Sequence, residues 1–370
     1  MSTWALIAGG GTAGHVLPGL AVARALVEAG HPADTIHWVG SVSGQEAQLV
    51  PAAGFGVTLL PGRGIERRLS RASVGAAWGL LRGGLRAVGE VARRRPAVVV
   101  SLGGFASVPA AAAAVVLGVP LVLCEQNAVP GAANRLLGRF AAAAAVSFPG
   151  TRLPRARLTG NPVRPEVLAV DRSTDRADAC HALGLPAGRR VVAAFGGSLG
   201  ALRVNRAVLG ALDLWADRAD LTVRHVVGRR DWHMIAAAVP ALPDGGLVYA
   251  PVEYEDRMDL VLAAADLAVC RAGGSVTAEL AAVGLPAVLV PLPGAPGDHQ
   301  TANARHLAGA GAAVIVADAE LDGARLAAEV DALLDDPVTL DAMGRAASRF
   351  GRRDAAAEVA ALVEEHARGG

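Results

Sequence analysis

Short apolar runs alternate with longer stretches of helical periodicity along the whole chain. Residues 4–8, 35–39, 97–101 and 120–124 read as buried strands in the first half, and 191–195, 222–227, 267–270 and 287–290 repeat the scheme in the second. Most of these runs are apolar throughout, as expected of strands covered on both sides, and the helical stretches between them read as crossover connections. The pattern predicts an α/β protein built from βαβ units with parallel sheets. At 370 residues the chain exceeds the usual size of one hydrophobic core, so two doubly wound domains are expected. The seam is placed at Gly160-Asn161-Pro162-Val163-Arg164-Pro165, where two prolines interrupt regular structure ahead of a polar stretch rich in Arg and Asp at 171–178. The expected domains are 1–163 and 164–349.

Composition narrows the class. The chain is 52% hydrophobic and 19% charged, enough to bury two cores and too apolar for extensive disorder. Thirty-five basic residues, all arginine, face thirty-four acidic ones, a formal charge of +1, so no global field points to nucleic acid. Cys124, Cys180 and Cys270 are widely spaced and form no C-x-x-C pair, which suggests neither a disulfide framework nor a zinc site and fits a reducing compartment. Met1-Ser2-Thr3 leads straight into a strand pattern without the regions of a signal peptide, so export is not expected. The apolar runs at 110–117 and 140–146 fall far short of the ~20 residues that span a bilayer.

Candidate chemistry begins at two glycine-rich turns, each following a predicted strand and opening a helix: Gly9-Gly10-Gly11-Thr12-Ala13-Gly14 and Gly196-Gly197-Ser198-Leu199-Gly200. Such turns leave backbone N–H groups facing the space above the sheet, which suits phosphate. A tight turn that merely needs small residues explains the glycines as well. The first turn satisfies G-x-G-x-x-G, yet Val39 is followed by Gly40 and Ser41 where a dinucleotide site wants an acid for the ribose. His15 follows this turn directly. Sugar transfer to an alcohol requires a base for the acceptor proton, and imidazole is suited to that near neutrality; a helix-capping histidine is the plainer alternative.

Glu125-Gln126-Asn127 follows the strand at 120–124, at a carboxyl end where open α/β sheets bind ligands, and Asn127 is a candidate to hold a hydroxyl or acetamido group. In the second half, Arg271-Ala272-Gly273-Gly274-Ser275-Val276-Thr277-Ala278-Glu279 again joins a strand end to a glycine turn and a helix. Glu279 there can accept two ribose hydroxyls, or simply favour the helix N-terminus. Asp298-His299-Gln300-Thr301-Ala302-Asn303 follows the next strand. No Asp-x-Asp triplet occurs, so no fixed metal is expected, and a leaving diphosphate would be neutralised by helix N-termini and an arginine such as Arg164. Residues 63–95 hold nine arginines and two glutamates around Trp78, Leu80, Leu81, Leu85 and Val88, the pattern of an interfacial helix on anionic lipid or of a charged solvent face.

These motifs, taken in order with Gly103-Gly104-Phe105-Ala106-Ser107 and Gly160-Asn161-Pro162-Val163-Arg164, make the chain resemble the MurG family of peptidoglycan N-acetylglucosaminyltransferases over nearly its whole length. The resemblance implies a GT-B fold of two facing Rossmann-like domains with an interdomain cleft, and inverting transfer of GlcNAc from UDP-GlcNAc to lipid I, giving lipid II for cell-wall biogenesis without a cofactor. It implies a donor set of Thr12, Gly14, Asn127, Arg164, Ser198, Gly273, Glu279, His299 and Gln300. Within that set Glu279 meets the ribose, Ser198 and Arg164 the diphosphate, and Asn127, His299 and Gln300 the GlcNAc. Gly11, Thr12, Gly103 and Gly104 fall to the acceptor diphosphate, and His15 to the base. Partners implied are the undecaprenyl-linked acceptor, the cytoplasmic face of the cell membrane, where the protein would be peripheral, and cell-wall synthesis proteins. The family's last helix commonly crosses back to the first domain, a role for residues 350–370.

The chain departs from the family pattern at Cys124, where histidine often stands, at Ala13, and in the order Gly274-Ser275-Val276-Thr277, which leaves open whether Ser275 or Thr277 meets the donor. Rival readings are a related transferase with another acceptor, an NAD-dependent oxidoreductase, and a membrane-bound scaffold with a dead site.

Overall fold

The structure, a computed structural model, describes residues 3–60, 71–197 and 200–368, with 71–82 given as backbone. The chain divides into two compact units, one running to Arg164 and resuming at Arg353, the other spanning Pro165–Arg352.

The first unit holds β1 (Ala5–Ala8), β2 (Ile36–Ser41), β3 (Gly56–Leu60), β4 (Val98–Ser101), β5 (Leu121–Glu125), β6 (Ala143–Val146) and β7 (Ala156–Leu158). They form one parallel sheet in the order β3-β2-β1-β4-β5-β6-β7, with Ala5 of β1 in register with Ile36 on one side and Val98 on the other. The second unit holds β8 (Arg190–Phe195), β9 (Leu221–Val226), β10 (Val248–Val252), β11 (Leu267–Cys270), β12 (Ala287–Leu289) and β13 (Ala313–Ile315), all parallel in the order β10-β9-β8-β11-β12-β13. Counted within its own unit each sheet contains the sequence 3-2-1-4-5-6, the doubly wound order with a switch point beside its first strand.

All eight predicted strands are present within two residues of the expected bounds. Five more escaped the pattern, for physical reasons. β3, β7 and β10 stand at sheet edges or are only partly covered, so they lack continuous apolar runs. β6 is Ala-Ala-Ala-Val, a sequence with helical propensity that is recruited to the sheet by its neighbours. β13 has three residues, too few for a periodicity.

Alternation along each strand sends successive side chains to opposite faces. In β1, Ala5 and Ile7 enter one core cluster with Val22, Leu26 and Trp38, while Leu6 and Ala8 enter another with Ala110, Ala114 and Leu137. In β8, Val192 and Ala194 join Trp215 and Leu326, and Val191 joins Ala179 and Ala263. The last helix, Ala355–His366, completes the first unit rather than the second: Val359, Leu362 and Val363 are buried beside Ile7, Leu20 and Val22. At its rim His31 Nε2 donates to Glu364 at 2.9 Å and Arg157 pairs with Glu365 at 2.6 Å.

A polar network ties β2 and β3 to the helix Arg71–Arg94. His37 Nε2 donates to the Thr58 hydroxyl at 2.8 Å, which donates to Glu90 at 3.0 Å; Arg93 and Arg94 close the chain on the Glu90 carboxylate. Of the basic segment at 63–95, residues 63–70 lie outside the described residues; beyond them Leu85 is 65% exposed. No helix among the described residues is long and apolar enough to cross a membrane.

Leu362→Ala removes a buried side chain from a packed helix–sheet contact, so it should lower unfolding stability by about 2–5 kcal/mol in urea denaturation. Acid should also destabilise the fold. Burial, then the Arg94 charge, holds the His37 imidazole at about 4, and burial holds that of His225 at about 3. Burial would raise the Glu90 carboxyl, but hydrogen bonds from Arg93, Arg94 and Thr58 outweigh it and bring it to about 2. The unfolded chain therefore binds more protons than the folded one from about pH 6.5 down to about 2, and stability falls throughout that window. In a pH series of melts, Glu90→Gln should flatten the part below about pH 4.5.

Candidate active site

Parallel strands deliver every following loop to one edge of the sheet, and all the motifs singled out above stand on such edges. In the first unit the turn after β1 is shaped by Gly10 and Gly11 (φ 158° and 95°), and the helix Ala13–Glu28 begins beyond Thr12. Gly19, inside that helix, has no room for a Cβ, which would stand 2.2 Å from Leu102 and 2.5 Å from Trp38. Helix and sheet thus pack closely, and Trp38 Nε1 donates to the Gly9 carbonyl at 2.7 Å. Gly11 and Thr12 are exposed, with Gly14 and His15 half-buried.

His15 is brought to the turn after β4. A Cβ on Gly104 would stand 3.5 Å from His15 Nε2 and 3.6 Å from the Gly10 carbonyl, and Gly103 and Gly104 both take positive φ (76° and 71°). Two motifs ninety residues apart therefore share one surface. His15 Nδ1 lies 3.3 Å from the Thr12 hydroxyl. For Nε2 to act as a base, Nδ1 must be the protonated nitrogen and donate to Thr12 Oγ1.

Beneath this turn is a residue the sequence reading passed over. Glu46, fully buried, accepts from Gly11 N at 2.8 Å and from Ser41 N at 2.6 Å. Gly10, Gly40 and Gly44 leave it room: a Cβ on any of the three would fall within 2.4 Å of its side chain. An acid does therefore stand at the end of β2, but both oxygens are committed to backbone amides and neither reaches solvent for a ribose. The only sequence signal was an acid in a helix's first turn near two glycines.

The Glu125-Gln126-Asn127 motif divides. β5 extends through Glu125, whose buried carboxylate accepts from Asn127 N (3.1 Å), Gly131 N (2.9 Å) and Asn134 Nδ2 (2.9 Å). Gln126 is turned inward as well, 4% exposed, leaving Asn127 as the member at the surface. Gln126 and Asn161 line a small cavity in the first unit, with Pro18, Leu102, Ser147 and Val359. Its enclosed space is about the size of one water. Arg164, where the chain leaves the first unit for the second, is half-buried.

In the second unit Ser198 lies outside the described residues, while Gly197 and Gly200 take φ of 84° and 79° on either side of it. After β11, Gly273 caps the helix Gly274–Val283. Thr277 is fully buried, and its hydroxyl donates to the carbonyls of Gly273 (3.1 Å) and Gly274 (2.9 Å). That leaves Ser275, half-buried on the first turn, as the hydroxyl at the surface. Glu279 is half-buried and near Cys270, whose thiol is pushed up by burial and then by the Glu279 charge.

After β12, His299 Nδ1 donates to the Pro296 carbonyl at 2.9 Å, so in the neutral ring Nε2 is an acceptor. Gln300 Oε1 accepts from Leu292 N at 2.9 Å, which leaves its amide NH2 to be presented. Asn303, fully buried, donates to the Ala272 carbonyl at 3.0 Å and binds the helix His299–Gly309 to the β11 turn. Arg271 fastens the same edge, reaching the Val290 and Pro291 carbonyls and Asp318 at 2.6 Å. Glu279, His299 and Gln300 thus stand on the adjacent edges of β11 and β12 with hydrogen-bonding groups of both kinds.

Two doubly wound parallel units, each with glycine-rich turns and hydrogen-bonding side chains at the carboxyl edge of its sheet, are the architecture of the GT-B class, in which many glycosyltransferases fall. Comparison with known proteins makes this specific. Residues 5–146 match the glycosyltransferase family 28 N-terminal domain and residues 191–359 the family 28 C-terminal domain. The UDP-N-acetylglucosamine–N-acetylmuramyl-(pentapeptide) pyrophosphoryl-undecaprenol N-acetylglucosamine transferase of Alkalilimnicola ehrlichii is 43% identical over 98% of this chain and 99% of its own. That of Clavibacter michiganensis subsp. michiganensis is 43% identical over 97% and 95%. The crystal structure of Acinetobacter baumannii MurG, 27% identical, superposes with a TM-score of 0.77 over 98% of this chain and 99% of that one. The chain belongs to glycosyltransferase family 28 and, within it, to the MurG family.

Glu46→Gln keeps the shape of the buried side chain but turns one acceptor into a donor facing an N–H. It should cost about 1–3 kcal/mol of stability and speed hydrogen exchange at Gly11, measured by urea unfolding and exchange mass spectrometry.

Proposed function

We propose that this chain is an N-acetylglucosaminyltransferase that moves GlcNAc from UDP-GlcNAc to lipid I, producing lipid II for peptidoglycan synthesis. Membership of the MurG family over nearly the full chain carries this reading. The placement of the motif residues supports it. Residue roles follow from the chemistry each residue has available.

The second unit holds the donor. Glu279 accepts the ribose hydroxyls, and Gly273, Ser198 and the helix N-termini behind them take the diphosphate, helped by Arg164. His299 Nε2 accepts from a GlcNAc hydroxyl, and the NH2 of Gln300 and the side chain of Asn127 complete the sugar's contacts. The first unit holds the acceptor, with Gly11, Thr12, Gly103 and Gly104 offering the backbone of two turns to its diphosphate, and Thr12 and Gly14 completing the donor set from the same turn.

In the reaction the acceptor hydroxyl oxygen bonds to the anomeric carbon as the bond from that carbon to the UDP oxygen breaks. The hydroxyl proton passes to His15 Nε2, and the charge developing on UDP is met by N–H groups and the Arg164 guanidinium. A single displacement of this kind inverts the anomeric centre.

Docking on the cytoplasmic face of the cell membrane is part of the proposal. Helices Arg71–Arg94, Val108–Val116 and Ala132–Leu137 all contribute to one core cluster of the first unit. They carry exposed Leu85, Val116 and Leu136, and Phe140 follows with the Arg139 guanidinium 5.2 Å from its ring centroid. Exposed apolar groups beside arginine suit an anionic lipid surface.

The test is UDP release from UDP-GlcNAc with and without a short-chain lipid I analogue. Acceptor-dependent release is expected. His15→Ala should lower kcat by roughly 100- to 10,000-fold. Glu279→Ala should lower kcat/KM by about 10- to 100-fold, chiefly through KM for the donor. Donor binding without acceptor-dependent release would move the acceptor to another molecule or favour a dead site. Folded protein that does not bind UDP-GlcNAc would sink the reading.

A further inference from the structure

In the second unit a buried polar chain runs from β10 through β9 to the start of the helix Leu202–Leu212, built of residues given no role above. Tyr249 OH lies 2.8 Å from His225 Nδ1, and His225 Nε2 lies 3.0 Å from Asn205 Oδ1. Asn205 Nδ2 donates to the Val227 carbonyl at 3.0 Å and to Asp231 Oδ2 at 3.1 Å, and Arg230 closes on Asp231 at 2.9 Å. His225 and Asn205 are fully buried, and Asp231 is 5% exposed.

The donor and acceptor assignments close on one solution. Both partners of Asn205 Nδ2 are acceptors, so its amide can be oriented only one way, and its Oδ1 must receive a proton from His225 Nε2. His225 is then the neutral ring protonated at Nε2, and its Nδ1 accepts from the Tyr249 hydroxyl. Burial, which holds this imidazole at about 3, agrees with a neutral ring.

The far end of the chain is the floor of the second glycine-rich turn. A Cβ on Gly200 would stand 2.3 Å from the Val227 carbonyl and 3.3 Å from Asp231 Oδ2, the two groups that Asn205 holds. Arg230 Nη2 reaches the Gly200 carbonyl at 3.4 Å, and Gly200 N donates to the Gly197 carbonyl at 2.9 Å. Gly200 therefore lies flat on Val227 and Asp231, at a separation only glycine allows, and its height is set from below.

We infer that Asn205 and His225 are positioning residues for the donor diphosphate: they fix the floor on which Gly200 rests, and hence the end of the glycine-rich turn from which the helix Leu202–Leu212 starts. This rests on the reading that the turn takes the UDP diphosphate, and it extends that reading to residues that touch no substrate. A diphosphate held by backbone N–H groups is sensitive to displacements well below an ångström, because hydrogen bonds weaken steeply with distance and angle.

The test uses the full chain and measures UDP affinity by calorimetry together with KM for UDP-GlcNAc and for a short-chain lipid I analogue. Asn205→Asp is nearly isosteric but sets a carboxylate against the Val227 carbonyl and the Asp231 carboxylate. It should weaken UDP binding roughly tenfold or more and raise the donor KM alike, with the acceptor KM within about twofold of wild type. His225→Gln retains an N–H for Asn205 Oδ1 and should stay within about threefold of wild type, whereas His225→Leu should lose roughly tenfold. Gly200→Ala, which meets the floor from the turn side, should reproduce the donor-selective loss even if the Asn205 variant does not fold. Trp215→Phe serves as a control for stability alone: it removes a bond to Asp331 in the same unit's core and should lower the melting temperature without changing UDP affinity. Folded Asn205→Asp or Gly200→Ala that binds UDP as wild type overturns the inference, and so does an equal loss in Trp215→Phe. Failure of the wild type itself to bind UDP would instead strike at the function proposed for the chain.

Discussion

In an all-parallel sheet every strand ends on the same edge, and the loops that follow must all gather there. That constraint governs this protein. It draws the turns after β1 and β4 together, so that His15 lies against Gly104 although the two are far apart in sequence. It likewise places Glu279 with His299 and Gln300 on the neighbouring edges of β11 and β12, fastened by Asn303 and Arg271. Because helices cover both faces of each sheet, the carboxyl edge is also where backbone N–H groups at helix starts meet solvent, and where an anionic ligand finds partners.

Each glycine-rich turn rests on buried polar groups, and the two units solve the same problem with different residues. In the first, a carboxylate, Glu46, receives the amides of Gly11 and Ser41, and three glycines leave space for it. In the second, a neutral amide, Asn205, holds the Val227 carbonyl and Asp231, with His225 fixing its orientation. Both devices lie wholly inside one unit. Each holds a glycine of its turn from below, Gly11 in one unit and Gly200 in the other.

Many polar residues near the candidate site are structural, and sorting them decides the chemistry. Glu125 serves Asn127, Gly131 and Asn134; Thr277 serves its own helix; Gln126 faces inward. What remains at the surface is a set suited to hydroxyl-rich, anionic ligands: an acceptor imidazole nitrogen at His299, an amide NH2 at Gln300, carboxylate oxygens at Glu279 and the backbone of the glycine turns.

The sequence by itself determined the class of fold and the identity of the motifs. Buried strands in a parallel sheet need unbroken apolar runs, and glycine turns need glycine, so both leave local marks that survive without coordinates; eight strands and the residues of every motif were visible in that way. The tertiary structure alone decided which polar side chains face inward. Glu46 carries little local mark of burial beyond the nearby Gly40 and Gly44, because part of the room for it comes from Gly10 in a distant segment. Asn205 and His225 belong to different elements, and nothing in either segment shows that they meet. Ser275 and Thr277 are two residues apart on one helix, yet the packing of that helix buries one hydroxyl and leaves the other at the surface. Edge strands such as β7 lacked a signal for the converse reason: little of their surface is buried, so pairing with a neighbour, rather than their own residues, makes them strands.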